Sequence, residues 1–169
     1  MSTRRVTELA ASFDADRVRT TTMDVGEPES VSAAVDRAAS DCGGLHILVN
    51  SAGISYQGSV LDNPFDAWQR VLRINLTGSY LATQAVARHM AAQRYGRIVL
   101  MASISGQQVW SGRVAYSSSK AGVVGMTLPI ARDLAAVGIR VNTIAPGLVD
   151  TPFYGKGEAS EAFKANLAR

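Results

Sequence analysis

The chain has 169 residues, 47% of them hydrophobic, and a formal net charge of +3 at pH 7. That length and apolar content suit one sizeable core, so we expect a single domain over residues 1–169. The basic residues are dispersed and lack aromatic neighbours, which argues against a nucleic-acid-binding face. A single cysteine, no apolar signal core and no run of about 18 apolar residues predict a cytoplasmic protein without a disulfide or a membrane span.

The first part of the chain predicts two helices and one strand. Helical spacing relates Val6, Leu9, Ala10 and Phe13. Residues 17–23 are rich in β-branched side chains and predict a strand that ends at Asp24. A second helix begins near Pro28, because proline suits the first turn of a helix, and Gly43-Gly44 ends it.

The rest of the chain alternates apolar runs with helical patterns. Residues 45–49, 97–102 and 139–144 predict strands, and the first of these runs is continuous enough to be covered on both faces. Long helices are predicted over residues 65–90 and after residue 116, and a weak one from Glu158. Such alternation predicts an α/β fold with a doubly wound parallel sheet.

The most informative stretch is Tyr116-Ser117-Ser118-Ser119-Lys120, at the start of one of these helices. Residues four apart in a helix share a face, so Tyr116 and Lys120 are expected to lie side by side. Tyrosine loses its proton near pH ~10 in water, and a neighbouring cation favours the phenolate. The pair therefore suits proton transfer to or from an alcohol oxygen.

Other polar segments follow the predicted strands or interrupt a helix. They are Asn50-Ser51-Ala52-Gly53 after the first apolar run, Asn75-Leu76-Thr77-Gly78 in the long helix, Ser103 thirteen positions before Tyr116, and Ala145-Pro146-Gly147 after the last run. The carboxyl ends of parallel strands are where ligands bind in open α/β sheets. In order and spacing, from Asp24 to Thr151, this set resembles the short-chain dehydrogenase/reductase family.

The resemblance implies an oxidoreductase and assigns catalytic roles to four residues. Ser103 would hydrogen-bond the oxygen of a small carbonyl or alcohol substrate, and Tyr116 would transfer the proton. Lys120 would lower the pKa of the tyrosine and bind the ribose hydroxyls of the nicotinamide half. Asn75 would kink its helix and hold a water that links Lys120 to solvent.

The resemblance also implies NAD or NADP as cofactor, with a preference for NAD. Its contacts would fall on Asp24 and Val25 at the adenine, on Asn50, Ala52 and Gly53 along the ribose, and on Pro146, Gly147, Val149 and Thr151 at the nicotinamide. Ser51 departs from the second asparagine that is commoner in the family's Asn-Asn-Ala-Gly motif. His46, His89 and Cys42 have no partners at metal-ligand spacing, so we expect no metal site.

The glycine-rich phosphate-binding turn of the family does not occur in this sequence. We therefore expect an incomplete Rossmann-type fold that lacks the family's first two strands, first helix and last strand. The resemblance implies that the full-length form of the protein is a homotetramer, assembled through the helices that carry Asn75 and Tyr116. The alternative is a truncated, catalytically inactive relative that acts only as a binding or assembly partner.

Substrate class rests on a local likeness. Residues 125–135 and 138–148 resemble the type 2 3-hydroxyacyl-CoA dehydrogenases. The resemblance implies a subgroup that oxidises 3-hydroxyacyl thioesters and hydroxysteroids with NAD, and we favour a 3-hydroxyacyl or 3-oxoacyl thioester. A 3-oxoacyl thioester reductase and a sugar-alcohol enzyme remain open. A different enzyme class is suggested by Ser117 and Lys120, which match the Ser-x-x-Lys motif of penicillin-recognising enzymes, but the Ser-Asp-Asn and Lys-Thr-Gly strings of that class do not occur.

Overall fold

A computed structural model of the chain describes Glu8 and residues 10–14, 16–108 and 111–149. In this part of the chain the sheet has three parallel strands, β1 (Ile47–Asn50), β2 (Gly96–Met101) and β3 (Ile139–Ile144). Their order in the sheet is β1-β2-β3, with Ile47 opposite Arg97 and Gly96 opposite Ile139. The predicted α/β fold with a parallel sheet is confirmed.

Within the described ranges, four helices with both ends defined and two short helical turns accompany these strands. The helices are α1 (Pro28–Cys42), α2 (Phe65–Leu72), α3 (Gly78–Gln93) and α4 (Val114–Ala135). A π-helical turn, Arg73–Thr77, joins α2 to α3, and a 3₁₀ turn, Ile104–Gly106, follows β2. Among these described helices, none has the length and apolarity needed to cross a membrane.

The ends of α1 follow from its sequence. Pro28 occupies the first turn, where its missing N–H is not needed, and acidic Glu29 suits the positive end of the helix dipole. Gly43 ends the helix in the left-handed region with φ 70°, a conformation that glycine adopts without steric penalty. The predicted start and end of this helix are confirmed.

The core lies between one face of the sheet and helices α3 and α4. The inward strand residues are Ile98, Leu100, Ile139 and Val141, and they meet Val86 and Met90 of α3 and Val123 of α4. Because all three strands run in the same direction, their carboxyl ends lie at one edge of the sheet. The amino-terminal turns of α4 pack beside that edge, next to the 3₁₀ turn.

The opposite face of the sheet is open in the described part of the chain. Ile47 and Val49 of β1 are 66% and 60% exposed, and Ile144 of β3 is exposed as well. The expectation that residues 45–49 are covered on both faces is therefore wrong. The apolar run is present, but the described helices that contact the sheet pack against the other side.

The strand predicted over residues 17–23 is also wrong, because the structure shows no strand there. A strand needs a hydrogen-bonded neighbour, and in the described residues no strand lies beside this segment. The long helix predicted over residues 65–90 is present, divided by the π-helical turn. Val6 and Leu9 of the predicted opening helix lie outside the described residues, while Ala10 is helical and Phe13 lies in a bend. The whole of the tail helix predicted from Glu158 lies outside the described residues.

Candidate active site

A cavity of about 300 Å³ opens at the carboxyl edge of the sheet. Its walls come from the ends of all three strands and from the first turns of α4. The lining residues are Ser51, Gly53, Met101, Ala102, Ser103, Tyr116, Lys120, Pro146, Gly147 and Val149. Three of the four residues with predicted catalytic roles, Ser103, Tyr116 and Lys120, thus line one cavity.

Ser103 lies just after β2, with extended backbone angles. Its Oγ accepts a hydrogen bond of 3.1 Å from the backbone N–H of Ser105, so the hydroxyl caps the 3₁₀ turn. No hydrogen bond donated by this hydroxyl is present among the described residues. Its hydrogen is therefore available to a ligand oxygen in the cavity.

Backbone hydrogen bonds hold the segment after β3 against the same edge. Ala102 N–H donates to Ile144 O at 2.8 Å, and Ile104 N–H donates to Pro146 O at 3.0 Å. These bonds continue the pairing of β2 with β3 past the end of the strands. As a result Pro146 and Gly147 form a wall beside Ser103.

Tyr116 and Lys120 lie one turn apart on α4, as the spacing predicts, and both are buried. The Nζ atom of Lys120 is 5.7 Å from the centre of the Tyr116 ring, and it donates a hydrogen bond of 2.6 Å to the carbonyl oxygen of Met101. That carbonyl sits at the end of β2, so the lysine ties α4 to the sheet. The ammonium is thereby held close to the phenol.

Burial removes the Lys120 ammonium from water and lowers its pKa from 10.5 to about 8. Lys120 is only 6% exposed, so the lowered pKa reflects a free-energy cost of holding the charge in the folded state. At neutral pH most molecules still carry the positive charge. The fold therefore keeps a cation in the cavity wall at the expense of stability.

This burial predicts a pH dependence of stability. From about pH 8 to pH 10.5 the unfolded chain holds a proton on Lys120 that the folded chain has released, so the free energy of unfolding rises with pH. In this pH range we expect the free energy of unfolding of wild type to rise, relative to that of Lys120→Met, by up to ~1.4 kcal/mol per pH unit. The total rise across the range is roughly 3 kcal/mol. Below that window both states are protonated, and the cost of burying the charge is fully present.

Urea unfolding of wild type and Lys120→Met at several pH values across the window tests this expectation. The other titrating groups are common to both proteins. The difference between their two plots of unfolding free energy against pH therefore reports the contribution of residue 120. Curves that stay parallel throughout the window would contradict the burial of a titrating ammonium.

Asn75 lies in the π-helical turn, behind the cavity, and it is fully buried. Its Oδ1 accepts the N–H of Ile54 at 2.8 Å, and its Nδ2 donates to Ile54 O at 2.9 Å and to Ser119 Oγ at 3.0 Å. Asn75 does not line the cavity, but Gly53 separates it from Lys120. A Cβ on Gly53 would lie 3.4 Å from Asn75 Oδ1 and 3.6 Å from Lys120 Nζ.

The residues predicted at the adenine form a separate turn before α1. Asp24 Oδ1 accepts the N–H of Gly26, and the Asp24 N–H donates to Ser30 Oγ, both at 2.9 Å. Val25 packs against the start of α3, where a Cβ on Gly78 would lie 2.9 Å from Val25 O. This turn is not part of the cavity lining.

The remaining predicted contacts divide into three groups. Gly53, Pro146, Gly147 and Val149 line the cavity. Asn50 is buried and donates to Ser79 Oγ at 2.7 Å, and half-buried Ala52 lies beyond the lining, so neither faces the cavity. Thr151 lies outside the described residues.

Three lining residues, Ser51, Met101 and Ala102, were not among the predicted contacts. Met101 and Ala102 directly precede Ser103, so their place at the end of an apolar run was the available signal. Met101 contributes a backbone carbonyl, which any residue provides. Residue type could therefore not have identified it.

The chain is similar to known proteins over most of its length. A family model described as short chain dehydrogenase matches residues 1–162. The chain is 44% identical over 141 residues to a 3-alpha-(or 20-beta)-hydroxysteroid dehydrogenase of Mycobacterium tuberculosis, which covers 82% of this chain and 53% of that protein. It is 37% identical over 129 residues to a 3-oxoacyl-acyl-carrier-protein reductase of Vibrio harveyi, covering 76% of this chain and 53% of the relative.

The solved structures agree with this similarity. NAD+-bound xylitol dehydrogenase superposes with a TM-score of 0.85 at 36% identity, covering 96% of this chain and 62% of that one. The chain thus spans about half the length of the curated relatives it matches.

Proposed function

Because the chain belongs to the short-chain dehydrogenase family, we propose that it is an NAD(P)-dependent oxidoreductase that interconverts a secondary alcohol and a ketone. The observation that carries the proposal is the convergence of Ser103, Tyr116 and Lys120 on one cavity. A hydroxyl donor, a phenol and an ammonium at one site provide the groups that move a proton on and off an oxygen.

In the reducing direction, Ser103 donates a hydrogen bond to the carbonyl oxygen of the substrate and keeps its own proton. Tyr116 transfers its phenolic proton to the same oxygen. Lys120 then stabilises the phenolate, because its ammonium lies 5.7 Å from the centre of the ring. In the oxidising direction Tyr116 takes the proton from the alcohol. A nicotinamide held in this cavity would supply or accept the hydride at the carbon that bears this oxygen.

The cavity suits the nicotinamide half of such a cofactor. Gly53 and Gly147 present no side chain to it, so a flat ring can approach the backbone closely. We assign the ribose hydroxyls to Lys120 and the carboxamide to the wall of Pro146, Gly147 and Val149. From the family resemblance, Thr151 is assigned to the carboxamide as well. The adenine is assigned to the turn of Asp24 and Val25, and the adjoining backbone to Asn50 and Ala52.

For the substrate we propose a 3-hydroxyacyl or 3-oxoacyl thioester. The reductase of Vibrio harveyi supports this choice, while the hydroxysteroid dehydrogenase and xylitol dehydrogenase relatives define the competing classes. We also propose that the chain uses NAD in preference to NADP, which the NAD+-bound neighbour supports. We further propose that the protein is cytoplasmic and forms a homotetramer through α2, α3 and α4. Turnover of one thioester, one hydroxysteroid and one sugar alcohol under matched conditions ranks the three substrate classes.

A second candidate function is that of an inactive binding or assembly partner. Two observations favour it. The sequence has no glycine-rich phosphate-binding turn, and in the described residues β1 has a hydrogen-bonded neighbour on one side only. A chain that did not bind the pyrophosphate would retain the cavity without using it.

Calorimetric titration of the 169-residue chain with NAD(H) and NADP(H), beside a far-UV spectrum, separates the two candidates. We expect micromolar binding of NAD(H) by a folded chain. We expect Gly53→Leu to abolish NAD(H) binding, because the added side chain would occupy the space between Asn75 and Lys120. We expect Gly125→Leu, on an open part of α4, to leave NAD(H) binding unchanged. A folded wild-type chain that binds neither dinucleotide would overturn the oxidoreductase proposal and favour the inactive partner.

A further inference from the structure

Ser119, directly before Lys120, is fully buried and makes two hydrogen bonds. Its Oγ donates to the carbonyl oxygen of Tyr116 at 2.7 Å and accepts from Asn75 Nδ2 at 3.0 Å. We propose that Ser119 is a positioning residue that fixes the π-helical turn of Asn75, and through it the Gly53–Ile54 loop, to the part of α4 that carries Tyr116 and Lys120. The inference rests on the proposed function for its catalytic meaning, but its geometry does not depend on a cofactor.

The first step is that Asn75 acts as a clamp with a fixed orientation. Both hydrogens of its amide are used, one by Ile54 O and one by Ser119 Oγ, while its Oδ1 receives the Ile54 N–H. Rotating this amide by half a turn would set Nδ2 against the Ile54 N–H, two donors facing each other. The orientation seen is therefore the one that satisfies every group.

The second step is that Ser119 supports this orientation from the other side. Because its hydrogen goes to Tyr116 O, the hydroxyl presents a lone pair to Asn75. An amide oxygen placed there would meet a second acceptor. Without the hydroxyl, one buried hydrogen of Asn75 would have no acceptor, a condition that proteins strongly avoid.

The third step connects the clamp to the cavity. Ile54 follows Gly53, a lining residue at which an added Cβ would lie 3.6 Å from Lys120 Nζ. The position of this loop therefore sets how closely the wall approaches the ammonium. A change at Ser119 is transmitted through Asn75 and Ile54 to the surroundings of Lys120, although Ser119 itself does not line the cavity.

The run of three serines supplies an internal control. Ser117 lies two residues before Ser119 on the same helix, and its buried Oγ has no hydrogen-bond partner among the described residues. Removing that hydroxyl deletes a similar volume without breaking a bond. Ser117→Ala and Ser119→Ala thus differ in whether a hydrogen bond is lost.

The test is amide hydrogen exchange of the cofactor-free 169-residue chain. We expect the Ile54 amide to exchange about 10-fold faster in Ser119→Ala than in wild type, since its acceptor is no longer held in place. The Ala102 amide, bonded to Ile144 O across the sheet, serves as the reference for global opening. Ser117→Ala is expected to leave the ratio of the two rates unchanged.

If Ser119→Ala does not fold, Ser119→Cys takes its place, because the thiol has a similar volume and forms only weak hydrogen bonds. Faster exchange of Ile54 relative to Ala102 supports the proposal in either variant. An unchanged ratio in the folded variant overturns it, as does an equal rise of the ratio in Ser117→Ala. Because no cofactor is added, a failure here is distinguishable from a failure of dinucleotide binding, which concerns the proposed function alone.

Discussion

Replacing Tyr116 with phenylalanine is expected to lower the turnover of a secondary alcohol or ketone by ~10²–10⁴-fold, the usual contribution of a general acid or base. The substitution removes one oxygen and keeps the ring, so the packing of α4 and the contact of Lys120 with the ring are preserved. The loss should therefore appear in kcat, with little change in the binding of the dinucleotide. Initial rates and a calorimetric titration measure the two effects separately.

The matched control is Tyr80→Phe. Tyr80 is an exposed residue of α3 whose hydroxyl accepts a hydrogen bond from Gln84 Nε2 at 2.9 Å, and it does not line the cavity. We expect turnover close to that of wild type. Turnover in Tyr116→Phe equal to that in Tyr80→Phe would remove the phenol from the mechanism.

Gly106→Ala is expected to destabilise the fold by ~1–3 kcal/mol, the range for inserting atoms into a packed site. A Cβ at Gly106 would lie 2.8 Å from the backbone nitrogen of Ala121 and 2.9 Å from the carbonyl carbon of Lys120. Both atoms belong to the backbone of α4, which cannot give way as a side chain does. The 3₁₀ turn after Ser103 must then move away from the helix that carries Tyr116 and Lys120.

Gly125→Ala provides a control of opposite sign. Gly125 lies in α4, and a Cβ added to it would have no neighbouring atom within 4 Å, so alanine should stabilise the helix by about 0.5–1 kcal/mol. Urea unfolding midpoints of the two variants, compared with wild type, measure both effects. A Gly106→Ala variant as stable as wild type would show that the turn and the helix are not held in fixed contact.

The elements that local sequence predicts are those whose pattern and burial agree. Local sequence predicts a strand in the apolar run before Ser103, a strand at residues 139–144, and a helix end at Gly43-Gly44. The structure has β2, β3 and the end of α1 at these places. The segment 17–23 shows where this logic fails. Its β-branched residues favour extended backbone, but a strand is completed only by a neighbour, which no local pattern reveals.

The parts of the candidate site that local sequence could predict are likewise those with a local pattern. Tyr116 and Lys120 share a face of α4, and Ser103 lies two residues after the end of a recognisable strand. The acceptor of the lysine, Met101 O, is a backbone atom and carries no residue signature. The link of Ser119 to Asn75 joins residues 44 positions apart, so it emerges only from tertiary packing.

Lys120 also determines what would happen to this protein under selection for heat resistance alone. Its buried ammonium opposes folding at neutral pH, so an apolar side chain at this position is among the simplest ways to raise the melting temperature. A screen that scores only survival on heating would enrich such variants and discard the cation beside Tyr116. Any laboratory evolution of this chain therefore needs an activity measurement in every round, because stability favours an apolar side chain at position 120 and the proposed chemistry requires the lysine.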